Sequence, residues 1–174
     1  MPTDAPAPHA EGALWPPPDI AQLLAAIESG LASEAGEALD LLAAHALHGG
    51  AIYPILVDVL PHLLRVAPRS RARAQLAEML EQIAATLAER PPGRAGRLLH
   101  RALLWWTWRR VPAIGADLSA ALDRHHEAAA ACRAVLCDHR AAIEQLASVP
   151  ELRTASAQLL RLAATSTASK RTWA

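Results

Sequence analysis

An all-helical domain is what this sequence predicts, and three observations predict it. Alanine and leucine supply most of the apolar residues, which make up 52% of the chain, and both are strong helix formers. Val, Ile and Tyr, which strands favour, are scarce, and Phe is absent. Apolar positions also recur at three- and four-residue spacing in one segment after another. β-Sandwiches and parallel α/β sheets are largely excluded on these grounds. The length of 174 residues suits one domain that buries about two-thirds of its unfolded surface, and so high an apolar fraction argues against a disordered chain.

The elements follow in order. Residues 1–18 are rich in Pro and Ala and close on Trp15-Pro16-Pro17-Pro18, which reads as an unpacked tail pinned at its end by Trp15. Residues 19–165 read as the folded domain. Asp19 to Ser29 is a first helix, with Pro17 and Pro18 suited to its start and Gly30 to its stop. Ser33 is placed to cap a second helix that runs to His48 and ends at Gly49-Gly50. After Tyr53-Pro54 a third helix sets Leu56, Val59, Leu60, Leu63 and Val66 on one face; Pro61 inside it predicts a kink or a restart.

Ser70 is placed to cap a fourth helix reaching about Arg90, striped by Leu76, Leu80, Ile83 and Leu87. Pro91-Pro92-Gly93 breaks it, and a fifth covers Arg94 to Arg110, stopping at Pro112. From Gly115 to Val149 no breaker occurs. Leu118, Leu122, His125, Ala129, Cys132, Leu136, His139, Ile143 and Leu146 keep alternating four-and-three spacing, which predicts one long helix or two in series, divided near Asp123. Pro150 opens a last helix to about Ala164, and the Ser/Thr-rich residues 166–174 read as a frayed tail.

Seven or eight helices with short connections imply antiparallel neighbours. The stretch from Leu39 to Ala67 is the most distinctive. An Ala/Leu-rich helix ends in His48-Gly49-Gly50, then come Ile52-Tyr53-Pro54 and Leu60-Pro61-His62-Leu63-Leu64-Arg65-Val66-Ala67. It resembles a helical hairpin of bacterial HEAT-like α-helical repeat proteins and covers about a sixth of the chain. The resemblance implies antiparallel helix pairs stacked as a short α-solenoid, and a role as adaptor, regulator or inhibitor of another protein.

The formal charge is zero, but it is a sum of unlike parts. Residues 1–64 hold eight acids and no Lys or Arg, whereas residues 65–110 hold ten arginines against Glu78, Glu81 and Glu89. Such asymmetry bears on partners and association kinetics. The predominance of arginine over lysine accompanies an excess of Ala and Pro, as in a GC-rich genome, so the charge carries more weight than the choice of Arg.

Arg90 to Arg110 contains six arginines and no acid, with Trp105, Trp106 and Trp108 among them. At 100° per residue, Leu98, Leu99, Ala102, Trp105 and Trp106 fall within about 120° of one another. That arc is expected to face the core, leaving Trp108 at the edge with Arg97 and Arg101 as a surface anchor. Arg94, Arg97, Arg101 and Trp108 are therefore one candidate partner-binding set. Arginines among aromatic rings also suit phosphates and stacked bases. Nucleic-acid binding through residues 90–110 is the alternative, weighed against an isoelectric point near 7.1.

The second candidate set is Glu34, Glu37, His45 and His48, which project to one side of the second helix around Leu41. A solvated charged face is its plain meaning; a docking surface for a basic partner is the functional one. His45 and His48 have the spacing of two metal ligands but no third in hand, so no metal is assigned. His125, Cys132 and His139 share a stripe but lie about 10.5 Å apart along the axis, too far for one ion. Cys132 and Cys137 point about 140° apart on a helix, which argues for reduced thiols.

No G-x-S-x-G elbow, phosphate-binding loop, dinucleotide glycine pattern, H-E-x-x-H or C-x-x-C is present. No enzyme, catalytic residue or cofactor is assigned. No secretory signal and no apolar run of roughly 18 residues stands out, so a cytoplasmic protein with no membrane association is expected. The reading that results is a non-catalytic protein–protein interaction module. An immunity-type inhibitor of a toxin is its narrower form.

Overall fold

The carboxylate of Asp19 accepts the amide of Gln22 at 3.2 Å and starts α1, Ile20–Ser29. In this computed structural model, which describes residues 19–48, 51–89, 94–109 and 112–171, seven further helices follow among the described residues. They are α2 (Ala32–Ala46), α3 (Ile55–Val66), α4 (Arg73–Ala88), α5 (Arg94–Thr107), α6 (Pro112–Asp138), α7 (Arg140–Leu146) and α8 (Arg153–Arg171). A 3-10 turn, Pro150–Leu152, leads into α8. The tail expected over residues 1–18 lies outside the described residues, as do 172–174 of the C-terminal one. Helix α8 continues to Arg171, past Ala164, because its Ser/Thr stretch contains no glycine or proline.

Several boundaries differ from expectation for visible reasons. Ser33 lies inside α2, whose N-cap is Leu31; the Glu34 carboxylate reaches back to accept the Leu31 amide at 3.1 Å. Ser70 does not cap α4 directly. Its hydroxyl accepts the Ala72 amide at 3.2 Å and donates to the Ile27 carbonyl at 3.1 Å. It thereby ties the end of α1 to the entrance of α4 while fully buried. Helix α3 runs through Pro61 as one element. Helices α6 and α7 divide at His139, not near Asp123.

Between α2 and α3 the chain makes a short antiparallel ladder, β1 (Leu47–His48) with β2 (Ala51–Ile52), in the register Leu47 to Ile52 and His48 to Ala51. The Ile52 amide leaves this hairpin and donates to Nδ1 of His125 on α6 at 2.8 Å. That bond fixes the imidazole with its proton on Nε2 and sutures the hairpin to a residue 73 positions away.

One apolar cluster unites α1 to α4 with α6, α7 and α8, and α5 contributes no described residue to it. Leu56, Leu60 and Leu63 of α3 and Leu76, Leu80 and Ile83 of α4 are wholly buried within it. Cys132 and Leu136 of α6, Ile143 of α7 and Leu159 of α8 join them. Helix α1 packs on α2, α3 on α6, and α8 lies against α4, α6 and α7, so the end of the chain returns on its middle. Each large buried aliphatic side chain stabilises this arrangement by about 1.5–3 kcal/mol. Arg133 of α6 donates to the carbonyls of Leu87 and Glu89 at the end of α4, occupying acceptors that a helix end leaves unpaired.

Candidate functional site

Helix α5 is made by arginine, alanine and leucine, and is bounded by Pro91-Pro92-Gly93 before it and Pro112 after it. Among the described residues its one extensive packing partner is α6. The consequence is an inversion of what the apolar stripe predicts. Trp105 is 71% exposed, Trp106 63%, Leu98 67%, Leu99 63% and Leu103 54%. Trp108, expected as the surface anchor, is half-buried, as is Leu104. Trp105 and Trp106 are therefore not core residues. The rule that large rings are buried presumes a neighbour to bury them, and α6 covers the opposite edge of α5.

That edge is held in part by charge. Arg101 pairs with Asp123 of α6, so this arginine, one of the candidate binders, already has a partner. Arg109 lies with its guanidinium carbon 5.7 Å from the centre of the Trp106 ring, within range of a cation–π attraction. The side chains of Arg94 and Arg97 lie outside those described. The result is an exposed ridge of two indoles and three leucines, flanked by Arg101 and Arg109. Ile114 and Leu118 of α6 are exposed as well, at 39% and 42%. An apolar area of several hundred Å² results, in the range that marks interaction sites on monomers.

Where α5, α6 and the hairpin meet, a cavity of about 420 Å³ opens. Ile52, Tyr53, Leu104, Leu118, Leu122 and His125 line much of it.

The acidic candidates sit elsewhere. Glu34 and Glu37 are exposed on α2, as is Leu41 one turn beyond Glu37, and His45 is half-buried. The side chain of His48, which falls in β1, lies outside those described. Among the described residues no ion pair joins an acid of the N-terminal third to an arginine of residues 65–109.

Two further groups complete the chemistry. Cys132 is wholly buried, and burial pushes its thiol up to about 11, with Arg133 opposing that rise. The Cys137 thiol donates to the Ala163 carbonyl at 3.5 Å. Both cysteines are free thiols. No three metal-ligating side chains come together among the described residues, and no helix there is long and apolar enough to cross a membrane.

Sequence reasoning missed Asp123 as the partner of Arg101, the suture at His125 and the outward stripe. A signal for the last was present: residues 90–110 hold six arginines and no acid, a composition that suits a solvated helix better than a core one. Compared with protein-family models, curated proteins and solved structures, the chain matches none.

Proposed function

We propose that the protein is a non-catalytic interaction module of the adaptor, regulator or inhibitor kind, with α5 as its docking element. One observation carries this reading: five large apolar side chains stand in water along a single helix face. Exposed faces of that extent are characteristic of surfaces that become covered. The acidic surface of α2, left without an arginine partner, gives the module a second end, suited to a basic protein whose approach it would steer. A HEAT-like stacking of helix pairs is part of the same proposal, and its support is the sequence from Leu39 to Ala67.

The test is retention of components from the native cell on immobilised full-length protein. Trp105→Glu with Trp106→Glu should release what docks on α5. Glu34→Lys with Glu37→Lys should release a basic partner, which elutes from the parent protein at raised salt. Identical retention by all three proteins would remove the reading. Nucleic-acid binding remains the second reading because Trp105 and Trp106 are exposed beside Arg109. A mobility shift with single-stranded DNA that weakens steeply with salt would support it.

A further inference from the structure

We infer that α5 docks on the surface of an anionic lipid bilayer, lying in the plane of the headgroups with its Trp/Leu face inward. This rests on α5 being the docking element and names what covers it. Three features converge on a bilayer.

The first is the division of the helix itself. Trp105, Trp106, Leu98, Leu99 and Leu103 stand exposed on one side, and Arg101 lies on the edge that meets α6. A short helix with an apolar Trp/Leu face, an arginine-bearing remainder and little overall hydrophobicity suits the boundary between headgroups and acyl chains. Indole rings favour that boundary because their body is apolar and their N–H is polar. Lying on a bilayer is distinct from crossing it, so the lack of a spanning helix among the described residues does not bear on this placement.

The second is charge. The segment from Arg90 to Arg110 contains six arginines and no acid. Apposing the α5 of a second copy would bring two such segments together, and the carboxylate described beside each, Asp123 of α6, is already engaged by Arg101. Anionic headgroups supply that complement to each basic side chain that reaches the surface, Arg109 first among those described.

The third is shape. The ridge on α5 is the outer side of one helix, and among the described residues its extensive packing is with α6 behind it. A protein partner must present a groove cut to that ridge, whereas acyl chains yield around it. Arg109, stacked over Trp106, is placed to meet phosphate while the ring beneath it enters the apolar layer.

The test is flotation of the full-length protein with vesicles of phosphatidylcholine plus phosphatidylglycerol, and with phosphatidylcholine alone. At low salt, binding to the anionic vesicles should exceed binding to the neutral ones by roughly tenfold or more. Trp105→Glu with Trp106→Glu should abolish flotation, and Arg109→Gln should weaken it several-fold. Far-UV circular dichroism confirms that each variant stays helical, and Trp105→Ala, which adds no charge, serves if the double variant unfolds. Equal binding to both vesicle types, or binding unaffected by these substitutions, overturns the inference. If no vesicle binds but the Trp variants still release a protein or single-stranded DNA, the bilayer is refuted and α5 survives as a docking element. If the variants change nothing at all, both readings fall.

Discussion

Trp105→Ala discriminates most sharply between an outward and an inward face of α5. An indole side chain buries about 150–250 Å² when fully covered, and at 71% exposure less than a third of Trp105 is covered. At about 25 cal/mol per Å² the covered part is worth at most about 1.5–2 kcal/mol. The gain in helix propensity from alanine offsets a few tenths of that. The expected loss of stability is therefore about 1 kcal/mol. A tryptophan packed in a core would cost about 3–5 kcal/mol on the same substitution. Urea denaturation followed by far-UV circular dichroism measures the difference without relying on the fluorophore that was removed. An unchanged m-value keeps the comparison sound. A loss above about 3 kcal/mol would mean that Trp105 is packed, and the argument for an uncovered face would fail with it.

Other perturbations test the scaffold behind that face. Leu80→Ala, in the wholly buried stripe of α4, should cost about 2–5 kcal/mol in the same assay. Gly30→Ala should cost about 1–3 kcal/mol, because a Cβ there would lie 2.4 Å from the Ala26 carbonyl oxygen, and the backbone must move to admit it; a neutral effect would contradict the tight exit from α1. Arg133→Met keeps most of the aliphatic bulk but leaves the Leu87 and Glu89 carbonyls without their donor. Loss of about 1–3 kcal/mol, with faster amide exchange at the end of α4, is expected. The Cys132 thiol ionises near 9.0 when exposed and near 11 when folded. Between those values the unfolded chain has released a proton that the native state keeps, so this group lowers stability as pH rises through that window and contributes no pH dependence below it. Cys132→Ala should flatten the alkaline decline in midpoints of unfolding, and an unchanged slope would refute the assignment.

The legible parts of the fold were those in which local rules and packing agree. Leu56, Val59, Leu60, Leu63 and Val66 were read as one apolar face of α3 and all are buried. The stripe of α4 behaves likewise, and Asp19 and Gly30 bound α1 through the groups that the sequence offers. Boundaries set by distant contacts were not legible. Ser70 looks like a helix cap, but it satisfies a carbonyl of α1, 43 residues away. The break at His139 has no glycine or proline to announce it. It re-aims α7 so that Ile143 and Leu146 are wholly buried where α7 meets α3 and α8. On α2 the acidic candidates Glu34 and Glu37 face solvent, as their pattern implies. On α5 the stripe was seen and its direction was misjudged, since periodicity locates an apolar face without saying whether anything lies opposite it.

That direction carries an energetic consequence. The Arg101–Asp123 pair that marks the inner edge of α5 is partly exposed on both sides, and such pairs contribute about 0.2–1 kcal/mol. Covering Trp105, Trp106 and the three leucines would be worth several times as much on area alone. The ion pair therefore does not dictate which way α5 faces. Leu104 and Trp108, both half-buried, supply the larger share. A helix held in this way is stabilised most by whatever covers its outer face, so binding and folding of α5 are linked. An occupant that engages Trp105 and Trp106 should slow amide exchange along α5 and leave the buried stripe of α4 unchanged.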